Sequence, residues 1–356
     1  MAADDGIDWW FLVSAEVDRE LRRFAINISP LQGHVFSTSP ARSKPARKKL
    51  LAEVESLNAD AAFTFFGPAY VDFPVPHLMG VANGWITHSS RIALGTRGGI
   101  VDLVKFAMSF MYKRYWYRRA DRWVVEASCA RDGMVKRFFV ESDSISIVSN
   151  SCADSYRANR ELTRSIAEPI RLLTLSAYYK HKNLEIIPSV ALELKKLLPN
   201  KKFEFRVTLE KGGQGEKKLF SLSEQLGVAE HVINIGPVPL TDGPALYAET
   251  DITFMPSILE TFSAVYPEAM MSGCPIVTTD LNFAKDICGD AASYYSPLDA
   301  KAAAKAIASL VNDSGAFNAL VDKGRKRVAE FPSQAAKYSA YVDAIKVMLT
   351  DGDGSK

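Results

Sequence analysis

Short apolar runs alternate with longer mixed segments along nearly the whole chain. In the first half, DWWFLVS, HVFSTSP, AAFTFFGP, VPHLMGVA, RWVVEAS and SISIVSN are brief, apolar and bounded by Pro, Gly, Ser or Asp, which predicts buried strands. Between them, KPARKKLLAEVESLNAD and ARDGMVKRFF predict helices. The scheme repeats with RLLTLSA, FEFRVTLE, HVINIGPV, DITFMPS and PIVTTD as strands. NLEIIPSVALELKKLL, EKKLFSLSEQLG, PALYAET, ETFSAVYPEAMMSG and DAKAAAKAIASLVND separate them as helical segments. Such alternation implies an α/β architecture, with parallel sheets and helices on both faces. The polar passage SNSCADSYRANRELTRSIAEP divides the series, so the pattern predicts domains over residues 1–160 and 161–335 with a hinge near residues 150–168. A last helix over 336–350 is expected to pack back towards the first domain, followed by a disordered tail, 351–356. Ligands of such sheets bind beyond the carboxyl ends of the strands, so two facing sheets direct attention to the cleft between them.

Composition narrows the class. At 356 residues, 47% apolar and 24% charged, the chain buries enough surface for two cores. A formal net charge of +2 gives no whole-chain reason to expect a nucleic-acid partner. Cys129, Cys152, Cys274 and Cys288 show no C-x-x-C pairing and sit among apolar or small residues, as free thiols in a reducing compartment do. The start MAADDGID is unlike a signal peptide and no apolar run is long enough to span a bilayer. A cytoplasmic protein is expected, peripheral at the inner face of the cell membrane if it touches one.

The stretch ETFSAVYPEAMMSG carries the candidate chemistry. It follows DITFMPS, so its loop and helix start are delivered at the carboxyl end of a buried strand. The helix begins near Ala264 with Pro267 in its first turn, and Gly273 stops it. Backbone amides of Phe262 to Val265 then offer donors to phosphate oxygens, and Glu260 and Glu268 offer carboxylates to adjacent sugar hydroxyls; taken as an isolated pair, Glu268 is better read as complementing the helix dipole and Glu260 as a solvated loop residue.

The passage MPSILETFSAVYPEAMMSGCPIVTTDLNFAKDICGDAASYYSPLDAKAAAKAI resembles the donor-binding region of the family 4 retaining glycosyltransferases. LLTLSAYYKHKNLEII and INIGPVPLTDGPALYAETDITFMPS resemble the same family in the same order, and FTFFGPAYVDFPVPHLMGVANGWI does so more weakly. The resemblance implies the GT-B fold, two Rossmann-like doubly wound parallel-sheet domains facing a cleft. It also implies transfer of a hexose from a nucleotide diphosphate sugar to a hydroxyl of a glycan or lipid-linked acceptor of the cell envelope, without metal or other cofactor. Glu260 and Lys182 would be catalytic, with Glu260 on the hydroxyls of the transferred sugar. Glu268 would hold the ribose, and Thr261, Phe262, Ser263 and Ala264 the sugar and distal phosphate, with Lys180, Gly236 and Val238 also on the donor side. Where the family carries an arginine this chain has Ala177, with Lys180 as the substitute, and where it carries a histidine this chain has Ala82. His77, Asn83, His88 and Asp286 remain as acceptor-side candidates, each with a structural alternative; Lys285 beside Asp286 is equally readable as half of a surface pair. A catalytically silent sugar-nucleotide-binding or scaffold protein on the same fold is the alternative reading, with an epimerase or phosphorylase of similar domains as a third. The glycines of Gly212 to Gly215 read as a turn, and neither Asp351 to Asp353 nor any other His, Cys and acid grouping has metal-site spacing.

Two features stand apart. Between residues 104 and 123, Lys and Arg interleave with Phe, Met, Tyr and Trp. That mixture suits an anionic membrane surface, a helix that packs its aromatics inward and solvates its charges, or nucleic acid, the last being the weakest fit. At the other extreme, the strand Trp9–Ser14 matches the family's second strand better than its first, and Ala2 to Gly6 resembles a helix end. The first domain is therefore expected to lack its opening βα unit, which would leave a sheet edge exposed and the donor site half built.

Overall fold

The computed structural model describes residues 6–23, 26, 32–157, 166 and 168–353. Its strands, in chain order, are β1 (Phe11–Ser14), β2 (Gly33–Phe36), β3 (Ala62–Thr64), β4 (His77–Gly80), β5 (Arg122–Val125) and β6 (Ile145–Ile147) in the first half. The second half contributes β7 (Ile170–Thr174), β8 (Phe203–Val207), β9 (Val232–Asn234), β10 (Ile252–Met255), β11 (Ile276–Thr279) and β12 (Ala292–Tyr295). Every pairing among them is parallel. Strands of a parallel sheet are covered on both faces, which is why β4, β10 and β11 are buried at every residue and, His77 of β4 apart, apolar or small.

The second-domain sheet runs β12-β11-β10-β7-β8-β9. Chain order therefore proceeds outward from β7 through β8 to β9, then restarts beside β7 at β10 and proceeds the other way. Right-handed crossovers in the two directions place their helices on opposite faces. Accordingly, the helices Ile187–Leu197, Gln214–Gln225 and Ala300–Asn312 share one core with Leu172, Phe205 and Phe254. The helices Gly243–Ala248, Val265–Met271 and Asn282–Cys288 build the other against Leu173, Met255 and Ile276.

In the first domain β3-β4-β5-β6 form one sheet, while β1 and β2 pair only with each other among the described residues. A helix, Ala15–Arg23, follows β1 where the apolar pattern gave no sign of one. None of its side chains is buried; it is held by an acidic first turn, a basic last turn and an Arg22–Asp18 pair one turn apart.

The last helix, Gln334–Asp353, lies on the first-domain sheet, with Ala344, Ile345 and Met348 against Leu78, Val124 and Val148. Trp9 Nε1 donates to the Tyr338 hydroxyl at 2.9 Å. The expected disordered tail is corrected here for residues 351–353, which continue that helix, because Asp351 finds Arg122 at the start of β5. Residues 354–356, residues 158–165 and 167 of the expected hinge, and the expected helix end over Ala2 to Asp5 lie outside the described residues.

Candidate active site

Strands β7 and β10 are neighbours whose following helices leave on opposite faces, so a crevice opens beyond their carboxyl ends. The loop after β7 makes a single 3-10 turn at Lys180–Lys182 and reverses at Asn183, which adopts a left-handed conformation with φ 54°. The loop after β10 is tied to it: Ile258 N donates to the His181 carbonyl at 2.8 Å, and Asn183 Nδ2 to the Pro256 carbonyl at 3.4 Å. This double tether brings Lys182 Nζ to 2.5 Å from Glu260 Oε1, with the two side chains only 16% and 10% exposed. Breaking a pair so withdrawn from water leaves an uncompensated charge, so the two groups hold each other in place.

The first domain reaches the same residue. His88 Nε2 lies 2.6 Å from the Glu260 carbonyl, which can only accept, so the proton sits on Nε2. Nδ1 is 2.8 Å from the Thr87 hydroxyl. Burial pushes the His88 pKa down, opposed by its bond to the Glu260 carbonyl. His88 gets there because Gly133, on the helix Ser128–Phe138, has no side chain: a Cβ there would stand 2.1 Å from the Thr87 carbonyl oxygen. Arg137 closes the same turn by donating to the Ser89 carbonyl at 2.6 Å and its hydroxyl at 3.0 Å.

Beyond Glu260 the chain enters the helix Val265–Met271, with Ala264 as its N-cap residue. Among the described residues, the amides of Thr261, Phe262, Ser263, Ala264 and Val265 make no hydrogen bond. Pro267 stands in the first turn, and Gly273, at φ 66°, turns the chain away while Cys274 N bonds back to Ala269 O. Glu268 is half-buried in that first turn. Burial raises its carboxyl pKa, and hydrogen bonds from the Tyr247 and Tyr156 hydroxyls oppose the rise. Tyr247 Oη stands 3.3 Å from Glu268 Oε2. Tyr156 arrives from the inter-domain passage, and its hydroxyl fits only because Gly243 is a glycine, since a Cβ there would stand 2.3 Å from it.

The remaining candidates divide clearly. Lys180 is exposed on the same turn as Lys182, and Gly236, at φ 83°, and half-buried Val238 lie beyond the carboxyl end of β9. Asn83 caps the short helix Gly84–Thr87 without a side-chain cap bond, and its side chain instead hydrogen-bonds Tyr117. His77 lies at the amino end of β4, the far end from the crevice, where Nε2 meets the Thr64 hydroxyl at 2.9 Å. Asp286 faces the first domain and accepts from Ser128 Oγ at 2.7 Å and Cys129 N at 2.8 Å. Lys285 pairs with Asp280 at 2.6 Å on the surface. Gly212 and Gly213 form a turn before the helix Gln214–Gln225, and all four cysteines are free thiols.

Several groups at the site were not legible as such. Tyr156 lay in a passage read as a hinge, Tyr247 in an ordinary helical segment, and Gly133 and Gly243 carry no motif. Their importance is a matter of which backbone or hydroxyl comes within contact of the missing Cβ, and spacing along the chain does not encode that.

Residues 157–327 match the family model described as Glycosyl transferases group 1. Among characterised relatives, a D-inositol 3-phosphate glycosyltransferase of Corynebacterium urealyticum is 30% identical over 131 residues, covering 36% of this chain and 29% of the relative. That of Nocardia farcinica is 25% identical over 172 residues, covering 46% and 38%. The match thus spans well under half the length of these relatives. The crystal structure of Anabaena HepE in complex with UDP and glucose superposes with a TM-score of 0.70 at 16% identity, covering 94% of this chain and 91% of that one. A glycosyltransferase of Rickettsia africae superposes with a TM-score of 0.68 at 13% identity, covering 96% and 99%. The chain has the GT-B fold, and the half of it that holds Lys182, Glu260 and Glu268 matches the Glycosyl transferases group 1 model.

Proposed function

We propose that this chain transfers a hexose from a nucleoside diphosphate sugar to a hydroxyl of a glycan or lipid-linked acceptor, with retention of configuration and without a metal. The observation that carries the reading is the Lys182–Glu260 pair, held beyond the two strands that flank the switch point. Glu268 follows it on the next helix. The UDP and glucose bound by HepE, which shares the fold, support a donor of this class.

In this reading the donor exchanges the mutual ion pair for bonds of its own. Sugar hydroxyls donate to Glu260, diphosphate oxygens accept from Lys182 and from the amides of Thr261 to Ala264, and ribose hydroxyls donate to Glu268. The bond between the anomeric carbon and the phosphate oxygen breaks, and negative charge grows on the departing diphosphate where Lys182 and those amides already stand. The acceptor oxygen bonds to the anomeric carbon and its proton passes to the leaving phosphate, so no protein base is required. His88 has its Nε2 proton committed to the Glu260 carbonyl and acts by holding that loop.

Calorimetry with nucleoside diphosphates, combined with turnover of a panel of nucleotide sugars, tests the assignment. Lys182→Ala and Glu268→Ala should each weaken diphosphate binding by roughly 10- to 100-fold, the loss of a charge-assisted bond of about 1.5–3 kcal/mol. Glu260→Ala should mainly lower turnover. Unchanged affinity in both the Lys182 and Glu268 variants overturns the site; binding without turnover of any donor points to a silent sugar-nucleotide binder instead.

A further inference from the structure

The helix Ile100–Tyr117 is apolar on two opposite faces, and only one of them is packed. At 100° per residue, Phe106, Phe110 and Tyr117 share the inward face. Tyr117 is buried there, donates to the Gly67 carbonyl at 2.7 Å and stacks on Phe138. The opposite face carries Ile100, Val104, Met108, Met111 and Tyr115, flanked by Val101. Ile100, Val101 and Met108 are 81%, 66% and 69% exposed. The aromatic side chains thus largely turn inward, but the outward face is apolar rather than charged. This stripe runs about 22 Å along the axis at about 1.5 Å per residue. Sustained exposure of that kind marks a surface that meets something apolar.

Its surroundings identify the partner. Residues 91–119 carry seven Lys and Arg against a single Asp, in a chain whose formal net charge is only +2. Lys105, on the helix, and Arg118, its C-cap residue, are exposed. Arg97 lies over the rings of Trp85 and Phe106 at 4.6 and 4.4 Å, and Arg119 over Tyr115 at 5.0 Å. Two copies of the chain meeting here would oppose like charges, and nucleic acid would leave the aliphatic stripe uncovered. No described helix is long and apolar enough to cross a membrane, so this one would lie on a surface rather than through it.

We propose that the helix Ile100–Tyr117 lies flat on an anionic phospholipid bilayer, with Val104, Met108 and Met111 entering the headgroup boundary and the surrounding basic side chains meeting lipid phosphates. The contact also orients the cleft. Phe106 packs on Trp85, and Trp85 meets His181 ring to ring at 5.8 Å, so the helix is joined by side-chain contacts to the turn that carries Lys182. Lipid binding on this face therefore sets the crevice beside the bilayer. The surface does not depend on the chemistry proposed for the cleft, and its test needs no nucleotide.

Co-sedimentation with vesicles of phosphatidylcholine containing about 30 mol% phosphatidylglycerol, against pure phosphatidylcholine, is the direct measurement. The protein should pellet with the anionic vesicles, remain in solution with the neutral ones, and be released from the former at high salt. Because their positions are exposed, Val104→Asp with Met108→Asp should preserve the circular dichroism and urea midpoint while lowering vesicle affinity by about tenfold or more. Lys105→Glu with Arg118→Glu should weaken binding in the same direction. Wild-type protein recovered equally in the supernatant with and without anionic vesicles overturns the proposal. So does a dimer in sedimentation equilibrium that the Val104 and Met108 substitutions dissociate, which would assign the stripe to a second copy.

Discussion

His77 and His88 occupy the two ends of the first-domain layer, and burial acts on both rings. At His77 it dominates: the side chain is 2% exposed, Nε2 bonds to Thr64, and Nδ1 is buried without a hydrogen-bond partner. Phe73 packs edge-on against the ring at 4.7 Å. Burial lowers its pKa from 6.5 to about 4, so the folded state holds the neutral ring while the unfolded chain takes up a proton below 6.5. Stability contributed by this residue is therefore complete above pH 6.5 and is lost as pH falls towards 4. By pH 5 the loss should be on the order of 2 kcal/mol relative to pH 7, at about 1.4 kcal/mol per pH unit. Urea unfolding of wild type and His77→Gln at both pH values measures it: the variant should show a shallower decline, and parallel declines would mean that the ring is not held neutral. His88, whose lowered pKa comes with a bond across the crevice, belongs instead to the geometry around Glu260.

At the scale of elements, the contact between the helix Gly243–Ala248 and the turn Asp154–Tyr156 sets how Glu268 is held. Gly243 has φ −51° and ψ −51°, so alanine suits its backbone and on propensity alone would add up to about 1 kcal/mol. The 2.3 Å approach to the Tyr156 hydroxyl offsets that, because no real Cβ contact is so short and the tyrosine must move. Gly243→Ala should thus leave global stability nearly unchanged while withdrawing one donor from Glu268. Nucleoside diphosphate affinity should fall about three- to tenfold, in keeping with one hydrogen bond of about 1 kcal/mol, while affinity for pyrophosphate stays the same. An equal loss for both ligands would place the damage on the phosphate side and refute the link to Glu268. The strand and helix series was readable because buried parallel strands are short apolar runs and their crossovers are amphipathic. The Ala15–Arg23 helix was not, since its apolar signal is only Val17 and Leu21 one turn apart in an otherwise charged segment, and neither is buried. The Glu260 loop could be placed at a strand end by pattern and the Lys182 loop by resemblance, but the ion pair between them depends on strand order, which only the folded sheet supplies.

For the whole molecule, the decisive geometry is how the two domains meet across the crevice. Glu268 and the Lys182–Glu260 pair belong to the second domain, whereas His88 approaches from the first, so in the proposed reading what joins the walls should govern transfer more than donor binding. Asp286 is a polar clasp between them. The helix Ser128–Phe138 begins after Ala127, which has no side chain able to cap it, so the amide of Cys129 would be left without an acceptor. Asp286 supplies that acceptor from the other domain and takes the Ser128 hydroxyl as well, placing a carboxylate at the positive end of the helix. Its own backbone is pinned by Arg327, which donates to the Asp286 carbonyl at 2.7 Å. Asp286→Ala should therefore loosen the domains without touching the donor groups. We expect nucleoside diphosphate affinity within about twofold of wild type, kcat/KM for transfer about tenfold lower, and a larger radius of gyration in solution scattering, for a lost net interaction of about 1.4 kcal/mol. Asp286→Asn, which keeps one acceptor oxygen, should fall between the two. A drop in donor affinity with an unchanged radius would instead make Asp286 a ligand-binding group, and unchanged kcat/KM would show that the crevice closes without it.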